Sequence, residues 1–194
     1  MEETKTRLLR ISLIRRLKRF LFPKNLDAAP DLNAAQNRNV ARIARLRGRG
    51  VRIGEGCVIH TEHFSSEPYL VDIGDNVGIA PGTHFMTHDG FIFPARRPGA
   101  LIFGRISIGS NSFVGMNSLI LPGTVVGRDC IIGAGSVVGG TVPDGSVVAG
   151  NPARVVMSVK MAEQLPARHR HRLDVSGLPP AERERRIREH FGLV

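Results

Sequence analysis

Aliphatic residues recur at every sixth position through the middle of the chain. The uninterrupted series is Ile108, Val114, Ile120, Val126, Ile132 and Val138. An α-helix repeats every 3.6 residues and a strand every two, so neither produces this spacing. A fixed short period is typical of a solenoid of stacked coils, in which each very short strand points one large side chain inward.

The positions around the repeated aliphatic are restricted as well. The residue two positions earlier is small, at Ser112, Ser118, Thr124, Cys130 and Ser136. Glycine directly follows the repeated aliphatic residue at Gly109, Gly115, Gly127, Gly133 and Gly139. We expect the small residues to lie inside a narrow prism and the glycines to permit its sharp corners. Cys57 and Cys130 both occupy the small position, which favours core packing over a disulfide or a reactive thiol.

The six-residue frame extends upstream and is interrupted twice. Its earlier members are Ile53, Ile59, Ile73, Ile79 and Phe85. The frame slips across residues 60–69 and breaks between His88 and Ser107. Interruptions of a solenoid usually map to loops on one face, often the binding face. The sequence therefore predicts an all-β solenoid of roughly five coils, with three hexapeptides per coil and an excursion loop over residues 89–105.

Helical segments flank the predicted solenoid, which spans residues 51–157. Residues 1–50 form a basic N-terminal segment, with one amphipathic helix over residues 6–22 and a second over 34–46 that turns Val40, Ile43 and Leu46 inward. Residues 158–194 form a C-terminal tail with a charged, solvated helix over 179–191. Two interpretations of residues 6–22 stay open. The segment either lies on an anionic membrane surface or packs on protein, and it is too rich in arginine to span a bilayer.

The formal net charge of +10 is concentrated in these flanks. Residues 1–50 carry a net charge of +9, residues 51–157 of −2 and residues 158–194 of +3. A nearly neutral solenoid offers no basic groove, so the charge does not indicate nucleic-acid binding. With two core cysteines and no signal-peptide pattern, the default location is cytoplasmic, with peripheral contact at the inner face of the membrane as the open alternative.

Three stretches resemble one known family. They are the repeats from Ile108 to Val138, the segment Thr87-His88-Asp89-Gly90 before the excursion, and the exit Gly150-Asn151-Pro152-Ala153-Arg154. Together they resemble the hexapeptide-repeat O-acetyltransferases, which include galactoside and maltose acetyltransferases and enzymes that decorate surface polysaccharides. The resemblance implies a left-handed parallel β-helix, a homotrimer with active sites between neighbouring subunits, and acetyl-CoA as co-substrate with no bound cofactor or metal.

The resemblance maps the family's catalytic histidine onto His88. A neutral imidazole can accept the proton of a sugar hydroxyl at physiological pH, and the thioester is already activated. Asp89 is a candidate for orienting the imidazole. Candidates for contacts with a sugar or glycan acceptor are His60, Glu62, His84, Arg96 and Arg97. His60 departs from the family, whose galactoside enzymes often have asparagine near this place, and residues 1–50 do not resemble that branch, which favours a polysaccharide or lipid-linked sugar.

The same resemblance indicates residues for coenzyme A. Phe113 replaces a tryptophan that lies near the pantetheine arm in the galactoside enzymes, and it either keeps that contact or packs in the trimer. Arg154, with Lys160 as a further candidate, would approach the phosphates, since a guanidinium matches phosphate geometry. The small residues Gly133, Ala134 and Gly150 would let the pantetheine chain approach the backbone.

Two other classes of function remain open from the residues alone. A γ-type carbonic anhydrase shares the β-helix but needs three histidines on one zinc ion. This chain offers His60, His63, His84 and His88, although the four-residue separation of the last two differs from that family. The second alternative is a non-catalytic trimeric scaffold.

Overall fold

The structure is a computed structural model that describes residues 30–90, 101–164, 173–175 and 177–193. The chain divides into two compact units. Residues 38–165 form one unit, and residues 1–37 together with 166–194 form the other. The predicted helix over residues 6–22 and the middle of the excursion, including Arg96 and Arg97, lie outside the described residues.

Very short strands make up most of the first unit. They are β1 Arg52–Ile53, β2 Val58–Ile59, β3 Val71–Ile73, β4 Gly78–Ile79, β5 His84–Phe85, β6 His88–Asp89, β7 Ile102–Phe103, β8 Ile106–Ile108, β9 Phe113–Val114, β10 Leu119–Ile120, β11 Val125–Val126, β12 Ile131–Ile132, β13 Val137–Val138, β14 Thr141–Val142, β15 Ser146–Gly150 and β16 Ala153–Ser158. The described helices are α1 Pro30–Gly48, α2 Val159–Ala162 and α3 Pro180–His190, with a 3₁₀ turn at Pro68–Leu70.

The strands assemble into three parallel sheets that the chain visits in rotation. Sheet A has the order β1-β3-β8-β11-β14, sheet B β2-β4-β9-β12-β15 and sheet C β5-β10-β13. In the regular part, paired positions are 18 residues apart, as for Ser107 with Val125 in sheet A. This spacing equals three hexapeptides, and the five strands of sheet A agree with the expected number of passes. The last strand, β16, turns back and pairs antiparallel with β15 at the edge of sheet B.

The repeated aliphatic side chains form the core. All six from Ile108 to Val138 are at most 2 % exposed. The small residues two positions earlier are buried too, and their hydroxyl groups donate to carbonyls where the chain turns between sheets. Ser118 Oγ, for example, donates to the oxygens of Gly115 at 2.8 Å and Gly133 at 3.1 Å. The small position therefore satisfies buried carbonyls as well as limiting side-chain volume.

Both cysteines are buried, as expected from their place in the repeat. Burial raises the pKa of the Cys130 thiol. Its Sγ lies 3.1 Å from the carbonyl oxygen of Pro143 in the next coil. A thiol kept protonated by its surroundings is a poor nucleophile, so Cys130 acts as a small packing residue.

The expectation that the repeat glycines permit sharp corners through their backbone freedom is wrong. Gly109 and Gly127 do not have the left-handed backbone that only glycine adopts freely. A Cβ on Gly109 would lie 2.4 Å from the backbone of Gly127 in the next coil, so close stacking is what excludes a side chain. The left-handed positions lie instead at other turn residues, among them Asn76, Asn111, Asn117 and Asp129. Asparagine and aspartate tolerate that conformation better than other side chains do.

Helix α1 covers the open edge of the first coil. Leu46 is buried and Ile43 packs against the core, as expected, but Val40 is 67 % exposed and its predicted inward position is wrong. The neighbouring Asn39 faces the strand edge instead. Its Nδ2 donates to the oxygen of Cys57 at 3.1 Å and its Oδ1 accepts from the nitrogen of Ile59 at 2.9 Å. An amide side chain thus replaces a missing neighbouring strand.

The described part of the second unit includes α3 near the end of the chain. Its bounds agree with the helix predicted over residues 179–191, and Gly192 follows with φ +65°. Exposed ion pairs join Arg185 to Glu182 and Glu189, which confirms the solvated charged face. Within the described residues, no helix combines the length and the apolar character needed to cross a bilayer.

Candidate active site

A short antiparallel ribbon forms the base of the excursion. Strand β6 pairs with β7, and His88 lies directly opposite Phe103. One residue further along, the nitrogen of Gly104 donates to the oxygen of Thr87 at 2.9 Å. The ribbon brings the two ends of the excursion together and fixes the backbone of His88 where the chain leaves the regular coils.

The imidazole of His88 is held by a carboxylate. Its Nδ1 lies 2.8 Å from Glu67 Oε2, and the same oxygen accepts the hydroxyl of Thr87 at 2.7 Å. Hydrogen bonds lower the pKa of Glu67, with the larger effect from His88 and a smaller one from Thr87. The carboxyl group therefore stays ionised at lower pH than an ordinary glutamate does. An ionised carboxylate only accepts hydrogen bonds, so in the neutral ring this contact favours the tautomer with the hydrogen on Nδ1 and the lone pair on Nε2.

The sequence pattern does not indicate Glu67 as a site residue. It precedes the 3₁₀ turn Pro68–Leu70 and lies in the first interruption of the repeat, one coil before His88. The interruption is the sequence signal that points to the segment of Glu67. In a stack of coils, a slip of the six-residue frame in one coil lies beside the corresponding point of the next coil. Adjacency in sequence makes Asp89 the expected partner of His88, but neighbours on a strand point to opposite sides. The Nδ1 contact belongs to Glu67, and a catalytic role for Asp89 stays a prediction.

Ser65 supports this cluster from the same interruption. Its hydroxyl donates to the oxygen of Phe85 at 3.0 Å and accepts from the nitrogen of Thr87 at 3.3 Å. Phe64 stacks on Phe85 beneath, with ring centroids 4.6 Å apart. The segment that carries Glu67 is therefore fastened to the strand that leads to His88.

The residues proposed for acceptor contacts lie in different places. Glu62 pairs with Arg45 at 2.5 Å and with Arg42 at 3.4 Å, so it is engaged with α1. Partial burial, followed by the charge of Arg42, lowers the pKa of His60. His84 is exposed, as expected from its outward position in β5.

Most residues proposed for coenzyme A lie along sheet B. Phe113 is on β9, Gly133 and Ala134 follow β12, Gly150 ends β15, and Arg154 is on β16. Lys160 is on α2, directly after that strand. His88 instead follows β5 of sheet C, so the two sets of candidates occupy different sheets of the chain.

Comparison with known proteins gives the family. The model "Bacterial transferase hexapeptide (six repeats)" matches residues 105–140. Protein CapG of Staphylococcus aureus is 44 % identical over 124 residues, which cover 61 % of this chain and 72 % of CapG. The chain belongs to the hexapeptide-repeat acyltransferase family. Membership of this family makes the chain an acyltransferase, and its relatives include proteins named as O-acetyltransferases.

Two further proteins show the extent of the similarity to this hexapeptide-repeat acyltransferase. Galactoside O-acetyltransferase of Escherichia coli K12 is 34 % identical over 113 residues, which cover 58 % of this chain and 56 % of that enzyme. Among solved structures, a hexapeptide-repeat-containing acetyltransferase from Vibrio cholerae has a TM-score of 0.49 and 22 % identity, covering 76 % of this chain and 89 % of that one.

The histidine geometry does not favour the carbonic anhydrase alternative. The rings of His63 and His84 stack with centroids 4.2 Å apart and an interplanar angle of 8°. Nitrogen lone pairs lie in the ring plane, so those of two parallel rings do not converge on one ion. No group of three or more metal-ligating side chains was found in the described part of the chain.

Proposed function

We propose that this acyltransferase moves the acetyl group of acetyl-CoA to a hydroxyl group of a sugar or glycan-related acceptor, with His88 as general base. The contact of His88 Nδ1 with Glu67 Oε2 at 2.8 Å carries the proposal, because it leaves Nε2 to accept a proton. The His88 side chain is 31 % exposed, so the imidazole is accessible while its orientation is fixed.

The steps follow from this arrangement. Nε2 of His88 accepts the acceptor's hydroxyl proton as the oxygen attacks the thioester carbonyl carbon. The carbon–sulfur bond then breaks, and the imidazolium returns the proton to the departing thiolate. The carboxylate of Glu67 stabilises the transient positive charge, because an ion pair favours the protonated ring.

Replacing Glu67 by glutamine tests the positioning role. The amide can donate a hydrogen bond to Nδ1, which would move the ring hydrogen to Nε2 and abolish the basic lone pair facing the acceptor. We expect kcat to fall by about 10- to 100-fold, as for other residues that orient a functional imidazole, with the KM for acetyl-CoA unchanged. Steady-state thiol release measures both quantities.

Glu55→Gln is the matched control. Glu55 is exposed and pairs with Arg47 at 3.1 Å, far along the chain from the ribbon. It should retain wild-type kcat and thermal stability. If Glu67→Gln also retains wild-type kcat, Glu67 does not position the base.

We also propose that the three sheets wind as a left-handed parallel β-helix and that the chain acts as a homotrimer. The trimer is supported by the division of the candidates between sheets. Residues proposed for coenzyme A lie along sheet B, and His88 follows sheet C. Packing of two copies side by side would bring one set against the other. The residues for coenzyme A, the acceptor candidates and a cytoplasmic location remain proposals with it.

Residues 6–22 provide the proposed peripheral membrane contact. Leucines recur about every four residues in this segment, and arginines and lysines occupy many of the positions between them. This pattern favours binding to an anionic membrane surface. Full-length protein should sediment with vesicles containing phosphatidylglycerol, less so at high salt, and the variant lacking residues 1–22 should stay in the supernatant. Vesicles of phosphatidylcholine alone are the control. Full-length protein that never sediments with the anionic vesicles contradicts the proposal.

A further inference from the structure

An exposed apolar strip adjoins the ribbon that carries His88. Leu101, Ile102 and Phe103 are 43 %, 40 % and 54 % exposed, although large apolar side chains gain free energy by leaving water. Ile102 and Phe103 form β7, so their backbone is held by pairing with β6. The ribbon therefore fixes the positions of these two side chains relative to His88.

Phe103 is the member of this strip that contacts the base. It is the cross-strand partner of His88, and directly opposed residues of an antiparallel pair project from the same face. The ring centroids of Phe103 and His88 lie 5.8 Å apart, with the ring planes inclined at 52°. Glu67 occupies Nδ1, so Phe103 forms an apolar wall on another side of the imidazole.

We propose that Phe103 is an acceptor-positioning residue and that the acceptor presents a pyranose ring to it. The inference rests on the proposed function of acetyl transfer to a hydroxyl group. A pyranose has a face of C–H groups and an edge of hydroxyl groups. Packing of the C–H face on Phe103 covers the exposed ring, while a hydroxyl at the edge reaches Nε2 of His88. Small acyclic alcohols lack such a face and gain nothing from the ring.

The side-chain chemistry at position 103 suits this task. Phenylalanine provides a flat apolar surface without a hydroxyl group that would compete with the acceptor for Nε2. The tilted contact with the imidazole is a favourable aromatic arrangement, and more than half of the residue remains available to a ligand. An aromatic wall beside a base restricts where the acceptor lies without donating or accepting a proton.

The test compares Phe103→Ala, Phe103→Trp and the wild-type enzyme. Acceptors are methyl β-D-galactopyranoside, methyl β-D-glucopyranoside and N-acetylglucosamine, with L-serine and glycerol as acyclic comparators, and the readout is CoA release. We expect Phe103→Ala to raise the KM for the pyranosides by about 5- to 10-fold, the usual value of one aromatic contact. Phe103→Trp should restore it. The KM for acetyl-CoA, the pH profile and thioester hydrolysis without acceptor should stay unchanged.

Ile102→Ala is the matched control. Ile102 neighbours Phe103 on β7, pairs with Asp89 and projects to the opposite side of the ribbon. It removes a similarly exposed apolar side chain without touching the base. The KM for the pyranosides should therefore stay at the wild-type value in this variant.

Several results would overturn the inference. If Phe103→Ala also slows thioester hydrolysis or moves the pH profile, the ring acts by holding His88. If the variant loses its assembly state in sedimentation velocity, a second copy covers the ring. If wild-type enzyme acetylates L-serine or glycerol but no pyranoside, the acceptor class is wrong while acetyl transfer stands. Wild-type enzyme that acetylates none of these acceptors contradicts both the inference and the proposed function.

Discussion

Replacing Gly109 by alanine is expected to destabilise the fold severely. The added Cβ would lie 2.4 Å from the carbonyl carbon and oxygen of Gly127 and 2.7 Å from the nitrogen of Arg128, all of them backbone atoms of the next coil. Backbone cannot rotate away as a side chain does, so the coils must separate and their hydrogen bonds must lengthen. We expect a loss of at least about 3 kcal/mol, the upper end of over-packing costs. Thermal unfolding followed by circular dichroism measures it.

Gly48→Ala is the control for a glycine without such a neighbour. Nothing lies within 4 Å of a Cβ at this position, which ends helix α1. Alanine there should leave the unfolding temperature unchanged or raise it slightly, because alanine favours helix. An unfolding temperature of Gly109→Ala equal to that of the wild type would show that the coils stack less tightly than the structure indicates.

Replacing His88 by alanine is expected to remove most of the catalysis. Without an imidazole, the acceptor hydroxyl must lose its proton to water while it attacks the thioester. We expect the rate of acetyl transfer to fall by at least about 100-fold, the usual contribution of a positioned general base. The KM for acetyl-CoA should change little, because the imidazole acts on a proton that moves only during the reaction. Initial rates of CoA release at saturating donor measure the effect.

His190→Ala controls for the loss of an exposed imidazole elsewhere. His190 is the last residue of α3, in the other compact unit. Its removal should leave CoA release at the wild-type rate. Both variants should keep the wild-type unfolding temperature and assembly state, because neither side chain is part of the hydrophobic core.

The repeat could be predicted from the sequence because one physical constraint sets it. Every coil must fill the same narrow interior, so Ile120 and Val126 recur at fixed spacing and are buried as expected. The pattern predicts the positions of the repeat glycines correctly but gives the wrong physical reason for them. A sequence pattern shows only where side chains are absent. The stacked backbone shows that Gly109 is needed because it lies against Gly127, and that its backbone is not left-handed.

The candidate site could be predicted only in part. His88 stands out because it immediately precedes the long break in the repeat. Glu67 does not, because its link to His88 arises from stacking of coils about 20 residues apart, across a slipped frame. Helical periodicity predicts that Val40 points inward, yet the coil edge beneath α1 presents peptide groups that hydrogen-bond with the amide of Asn39. Packing against an open strand edge overrides the apolar pattern there.

CoA release by His88→Ala, with and without added imidazole, tests the central claim most directly. The assay contains acetyl-CoA and a pyranoside acceptor, and both proteins are first shown to be folded and equally assembled. The account predicts that the variant is at least about 100-fold slower than the wild type. It also predicts that free imidazole, a base of the same chemistry, restores part of the rate of the variant. The rate of the wild-type enzyme should not change when imidazole is added. A variant that releases CoA at the wild-type rate without imidazole contradicts the account.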